Sequence, residues 1–144
     1  MILDKDDIKS LLPHREPFLF VDSIIDINLK EDITGLIKFP EDSYFFQGHF
    51  PGRPVVPGVI IIESLAQLGG VLIYKSFETD LVGKDPALVG VDSVKFKSPT
   101  LPNEQLTIKA TLLKNKLNIF KLNTQAYKND KLVVEANITA TVLS

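Results

Sequence analysis

The sequence predicts an α+β fold in which one long apolar helix is inserted among five or six mostly antiparallel strands. Three observations carry this. Residues 57–77 are the one stretch with helical length and near-continuous apolar content, broken by Glu63, Ser64, Gln67, a few glycines and, near its end, Lys75 and Ser76. Residues 105–143 alternate apolar and polar side chains with the period of two that half-buried strands require. Between these segments, a polar connector over 80–85 and a turn bracketed by Pro99 and Pro102 flank a further β-like run over 87–97.

Taken in order, residues 4–12 predict a short helix. Asp4 can cap it, Asp7 lies near the positive end of its dipole, and Ile8, Leu11 and Leu12 share a face until Pro13 stops the helix. A turn-rich connector, Pro13-His14-Arg15-Glu16-Pro17, leads into residues 18–27, a run rich in aromatic and β-branched residues that predicts a strand. A second strand is expected over 32–39, interrupted by Gly35. The long helix runs from about Pro57 to Phe77, with Pro57 suited to a first turn because its missing N–H would have no partner there. After a polar connector over 80–85, strands are expected at 87–97, 105–113, 118–127 and 132–143. Lys128-Asn129-Asp130-Lys131 is a hairpin turn between the last two.

At 144 residues and 16.0 kDa the chain fits one domain spanning 1–144. No cysteine is present, which removes disulfide, thiol-nucleophile and cysteine–metal chemistry and is compatible with a reducing cytoplasm. Sixteen basic against eighteen acidic residues leave a formal charge of −2 without a basic run, so nucleic acid is not an expected partner. The first residues lack the pattern of a signal peptide. Residues 55–74 are apolar enough to raise a membrane span, but Pro57, Glu63, Gln67, Gly69 and Gly70 interrupt them. A helix apolar on nearly every face must be covered on nearly every face. One sheet covers one side, so a second copy of the chain is the expected cover for the other, and a homodimer follows.

The chemistry concentrates between residues 44 and 70. A loop dense in Gly and Pro holds His49, whose imidazole can accept a proton near neutral pH. The other reading of His49, a loop histidine that only hydrogen-bonds a carbonyl, stays open on sequence. Glu63 lies among Val59, Ile60, Ile61, Ile62 and Leu65, where ionisation is costly and a carboxyl is suited to keep and then donate a proton. Gly58 offers a backbone N–H at the helix N-terminus, a donor without an intrahelical acceptor and suited to a carbonyl gaining negative charge. Gln67 stands one turn beyond Glu63 and can orient it, or can be a polar residue at the helix edge. Base, helix terminus and acid together suit removal of a proton beside a carbonyl and expulsion of a leaving group beyond it. Glu63 lies about 8 Å along the axis from Gly58 at ~1.5 Å per residue, so in a dimer the Glu63 of one chain can face the His49 of the other. His14, between two prolines, reads as structural. Two histidines without cysteines or an HExxH-like spacing give no zinc site, and Ser64 lacks the setting of a serine nucleophile.

The stretches Leu12-Pro-His-Arg-Glu-Pro-Phe-Leu-Phe-Val-Asp22, Phe45-Phe-Gln-Gly-His49-Phe-Pro-Gly-Arg-Pro-Val-Val-Pro57-Gly58-Val59 and Glu63-Ser-Leu-Ala-Gln67, with the later Val89-Gly-Val-Asp92, Lys95-Phe96 and Pro99, resemble the (3R)-hydroxyacyl-[acyl-carrier-protein] dehydratases of the FabZ type. The resemblance implies a hot-dog fold, a curled antiparallel sheet wrapped around one long central helix, dimerising into a continuous sheet and commonly forming a trimer of dimers. It implies His49 as the base taking the α-proton, Glu63 of the neighbouring subunit assisting loss of the 3-hydroxyl, and the Gly58 N–H polarising the thioester carbonyl. It implies no metal or organic cofactor. The substrate would arrive on the phosphopantetheine arm of acyl carrier protein, an acidic partner that exposed Arg53, Lys95 or Lys97 could help dock. Ser23, Ser64 and Pro102-Asn103-Glu104 depart from the family pattern of Arg, Ala and Pro-Gly-Asp, which leaves room for a paralogue in a specialised lipid or polyketide-like pathway. A dehydratase of the A type, which also isomerises, would carry Asp at position 63. A thioesterase of the same fold and a non-catalytic acyl-binding subunit are the remaining alternatives.

Overall fold

The computed structural model describes residues 1–143. A single six-stranded antiparallel sheet, in the order β1-β2-β4-β5-β6-β3, curls around one helix. In chain order the elements are α1 (Lys5–Leu11), β1 (Ser23–Asn28), β2 (Asp32–Lys38), a 3₁₀ turn (Tyr44–Gln47), α2 (Gly58–Ser76), a one-turn α3 (Glu78–Leu81), β3 (Asp85–Phe96), β4 (Gln105–Lys116), β5 (Ile119–Lys128) and β6 (Lys131–Leu143). This is the hot-dog architecture.

α1 begins on a capping box. The Asp4 carboxylate accepts from the Asp7 N–H at 2.9 Å, and the Asp7 carboxylate accepts from the Asp4 N–H at 3.0 Å. Its buried Ile8 and the adjoining Leu12 lie against the core. α2 starts one residue later than Pro57, which serves as its cap, and ends on Ser76 before Phe77. From Ser64 to Tyr74 it is buried at nearly every position, with Leu65, Leu68 and Leu72 fully buried in the core they share with Ile33, Ile108, Ala110 and Leu122 of the sheet. Each such leucine contributes about 1.5–3 kcal/mol of burial. α2 has the length and hydropathy of a membrane span, but most of that window is buried within the fold. Gly35 does not interrupt β2. Any Cβ there would lie 2.9 Å from the Ser23 carbonyl and 3.0 Å from Leu68, so the glycine lets strand and helix approach.

The expected strand over 18–27 is a correction. Only Ser23–Asn28 pairs with β2; residues 18–21 lie outside any strand, with Leu19, Phe20 and Val21 buried. The physical reason is that α2 takes over their hydrogen bonds. Gln67 Oε1 accepts from the Phe20 N–H at 2.7 Å, Gln67 Nε2 donates to the Phe18 carbonyl at 3.0 Å, and Ser64 Oγ donates to the Phe20 carbonyl at 2.6 Å. Buried backbone groups need partners, and here helix side chains provide them in place of a neighbouring strand. The connector expected over 80–85 is likewise shorter, because buried Leu81 closes the α3 turn and Asp85 already belongs to β3.

The two sheet edges differ. β1 is covered by an isolated bridge from Leu3 to Ile24. No described segment pairs with the outer edge of β3, along which Leu88, Val89, Val91, Val94 and Phe96 are exposed. Val59, in the first turn of α2, is 73 % exposed. The open edge thus combines unpaired backbone groups with exposed apolar side chains beside an apolar helix end.

Candidate active site

The loop after the 3₁₀ turn folds back on itself. Phe50 and Arg53 exchange backbone hydrogen bonds of 3.2 and 2.8 Å around Gly52, whose φ of +73° is a conformation other residues rarely adopt. The Val55 N–H closes on the His49 carbonyl at 2.9 Å, and the Val56 N–H anchors the loop to the Thr100 carbonyl at 2.8 Å. Within this frame His49 Nδ1 stands 2.8 Å from the Val55 carbonyl. A carbonyl only accepts, so Nδ1 carries the proton and Nε2 holds the free lone pair. The carbonyl bond that the sequence offers as one reading of His49 is present, and it leaves Nε2 as the nitrogen free to accept a proton. The Phe50 ring stacks on the imidazole with centroids 4.1 Å apart and limits its rotation.

Gly58 opens α2 beside this histidine. As first helical residue its N–H has no intrahelical acceptor, and the nineteen-residue helix places its positive end there. A Cβ at this position would stand 2.6 Å from the Phe96 ring, so only glycine lets Phe96 lie across the helix terminus. His49, Gly58, Val59, Phe96 and Thr100 line one cleft of about 580 Å³.

Glu63 lies elsewhere. It lines a second cavity of about 280 Å³ with His14, Phe18, Gln67, Tyr74 and Phe120. Its side chain is 23 % exposed, so the expectation of an acid buried among apolar neighbours is met only in part; the enclosed polar residues of α2 are Ser64 and Gln67. Gln67 Nε2 donates to Glu63 Oε2 at 2.9 Å. With its bonds to Phe18 and Phe20, Gln67 is the joint between the acid and the 18–22 segment, rather than a residue of the helix edge. Gln67→Leu, similar in size, removes these bonds and strands a buried N–H. The expected loss is about 2–4 kcal/mol of stability by the cost of unpaired buried groups, measured by urea unfolding at fixed protein concentration.

Within one chain, then, His49 and Gly58 share a cleft and Glu63 lines another. His14, which the sequence reads as structural, stands beside Glu63. His14 Nε2 lies 3.7 Å from Glu63 Oε2, in the same cavity. Burial pushes its pKa below the ordinary histidine range, with the nearby Glu63 charge opposing that shift. Nothing in Pro13-His14-Arg15-Glu16-Pro17 signals a partner 49 residues away.

The chain matches the FabA-like domain over residues 12–137. A 3-hydroxyacyl-[acyl-carrier-protein] dehydratase FabZ of Oleidesulfovibrio alaskensis is 43 % identical over 99 % of this chain and 93 % of its own length. The protein of the same name from Syntrophobacter fumaroxidans is 44 % identical over 97 % and 94 %. Among solved structures, the dehydratase heterocomplex ApeI:P of Xenorhabdus doucetiae superposes with a TM-score of 0.82 at 16 % identity, covering 95 % of this chain and 91 % of that one. A hypothetical thioesterase from Streptococcus pneumoniae, solved with coenzyme A, gives 0.63 at 14 % identity and 96 % of each chain. The last two share the fold alone, which hosts different reactions. Sequence identity over the full length, together with a histidine loop running into a helix that carries glutamate and glutamine one turn apart, shows that the chain belongs to the FabA-like domain family and, within it, to the FabZ-type dehydratases.

Proposed function

We propose that this chain converts (3R)-3-hydroxyacyl-[acyl-carrier-protein] to trans-2-enoyl-[acyl-carrier-protein], in fatty acid biosynthesis, as a cytoplasmic homodimer whose sites are composite. The observation that carries the proposal is the separation of His49 with Gly58 from Glu63 in one chain, beside an unpaired apolar strand. The β3 edge is antiparallel to β6, and two copies joined along it would form a continuous twelve-stranded sheet, twice the six of one chain. In that arrangement the Leu88 end of one β3, next to Glu63, meets the Phe96 end of the other, next to His49. Dimers of this kind can assemble further into a trimer of dimers.

The reaction follows from the groups. His49 Nε2 removes the α-proton, made acidic by the thioester. The charge that builds on the carbonyl oxygen is met by the Gly58 N–H and the positive end of α2, donors already in place before the reaction. Glu63 gives its proton to the C3 oxygen as the C3–O bond breaks, and water leaves. Each histidine ends protonated and each glutamate ionised, so one proton must return between them before the next turnover. Gln67 fixes the carboxyl for this transfer. Arg53, Lys95 and Lys97 are all exposed, and Lys97 lines the His49 cleft, which suits an acidic carrier docking at its mouth.

Mass spectrometry of a (3R)-hydroxyacyl carrier-protein thioester incubated with the protein tests the proposal. The expected product is the same carrier lighter by one water. Release of free carrier thiol would identify a thioesterase instead, and an unchanged substrate at every chain length would leave an acyl-binding subunit.

A further inference from the structure

His14 is held in place by its neighbours. Arg15 Nη1 donates to the carbonyls of Leu12 at 2.9 Å and His14 at 2.6 Å, and Nη2 donates to that of Lys9 at 3.1 Å. These bonds close the C-terminal end of α1 and fix the backbone from which the imidazole projects. Of its two nitrogens, Nδ1 is buried without a hydrogen-bond partner and Nε2 approaches Glu63 Oε2 to 3.7 Å.

A separation of 3.7 Å exceeds a hydrogen bond, yet it has a specific meaning. One oxygen atom placed about 2.8 Å from each of the two atoms completes a triangle with both hydrogen bonds made. The carboxyl on the other side of that gap is held by Gln67, whose Nε2 donates to the same Glu63 Oε2 at 2.9 Å.

The protonation of the ring points the same way. Burial keeps His14 neutral near pH 7, aided by the Arg15 charge and opposed by those of Glu63 and Asp85. A neutral imidazole carries one proton. Enclosing an unpartnered N–H is rarer in proteins than enclosing an unpartnered acceptor, so the proton belongs on Nε2, toward the gap, and Nδ1 is left bare.

We propose that His14 is a further catalytic residue of the acid half of the site, its Nε2–H donating a hydrogen bond to the C3 oxygen of the substrate as that oxygen departs. The proposal rests on the dehydratase reading above. The electron balance is that of a β-elimination. The α-C–H pair becomes the new double bond and its proton goes to His49; the C3–O pair leaves on oxygen, which takes the Glu63 proton. His14 keeps its own proton throughout and contributes only a donor where negative charge develops. Its catalytic role is thus tied to the leaving group and not to the α-proton.

That distinction gives the test. A 3-hydroxyacyl thioester is compared with the matching 3-chloroacyl thioester, whose chloride leaves without a proton and accepts hydrogen bonds only weakly. For His14→Phe, kcat/KM on the hydroxyl substrate is expected to fall roughly 100-fold, the usual effect of losing one donor to a developing anion, while the chloro substrate loses far less. Equal losses on both substrates would make His14 a structural residue and overturn the proposal, as would no loss on either. Should the phenylalanine variant fail to fold, His14→Asn decides. Its shorter amide is expected to lower the hydroxyl-to-chloro ratio, and an unchanged ratio overturns the proposal. Wild-type protein that eliminates from neither substrate refutes the dehydratase reading itself, an outcome distinct from the variant patterns.

Discussion

Replacing His49 by alanine is expected to lower dehydration by about a thousandfold while the protein still folds, since a positioned general base contributes 10²–10⁴ in rate. The prediction has two parts because the side chain has two bonds to consider. Nδ1–H holds the Val55 carbonyl at 2.8 Å and stiffens the loop, a contribution of about 1 kcal/mol for an ordinary hydrogen bond. Nε2 is the base. Alanine removes both, so its loss of rate could be blamed on a slack loop. Asparagine separates them: its amide N–H can still reach the Val55 carbonyl, but it has no basic lone pair. His49→Asn should therefore recover most of the lost stability and none of the lost rate. Thermal unfolding and steady-state rates on both variants check this. A His49→Asn protein that turned over within tenfold of wild type would show that His49 organises the loop and is not the base.

The legibility of this fold follows the range of the interactions behind it. β4, β5 and β6 alternate apolar and polar residues, and that pattern is written locally, so their cores were readable to within a few residues. α2 was readable for the same reason, with Pro57 marking its start. The 18–22 segment was not. Its composition is that of a strand, and no local pattern discloses that Gln67 and Ser64, more than forty residues on, satisfy its backbone. Here Ser64, a departure from the family's alanine, has an evident role, because its fully buried hydroxyl donates to the Phe20 carbonyl. Asn103 is similar. It stands at φ +65° where the family pattern has glycine, and asparagine tolerates that region better than most residues. The candidate site divides along the same line. His49, Gly58, Glu63 and Gln67 were nominated by type and spacing. Their distribution over two clefts, and the pairing of His14 with Glu63, depend on how the sheet curls and on contacts that spacing does not encode.

Mixing two inactive proteins is expected to restore activity if the site is shared between chains. His49→Ala keeps Glu63 but has no base, and Glu63→Gln keeps His49 but has no acid; each homodimer should be nearly silent. When the two are unfolded together and refolded at equal concentration, random pairing makes half of the dimers mixed, and in each of these one of the two sites combines an intact His49 with an intact Glu63. The other site lacks both. Activity should therefore return to about a quarter of wild type for a symmetric dimer with one site per interface half. An intrachain site gives the opposite result, because every site in a mixed dimer would then lack one of the two groups, and the mixture would stay as silent as its parents. Charge substitution at the proposed interface supplies the control. Leu88→Lys and Val91→Lys place two cations on each copy of the open β3 edge, where like charges on facing strands repel. In that background the refolded mixture should elute at a smaller size and recover no activity, which ties the restored quarter to pairing along β3. Recovery in that background would show that the chains share sites through a surface other than the β3 edge.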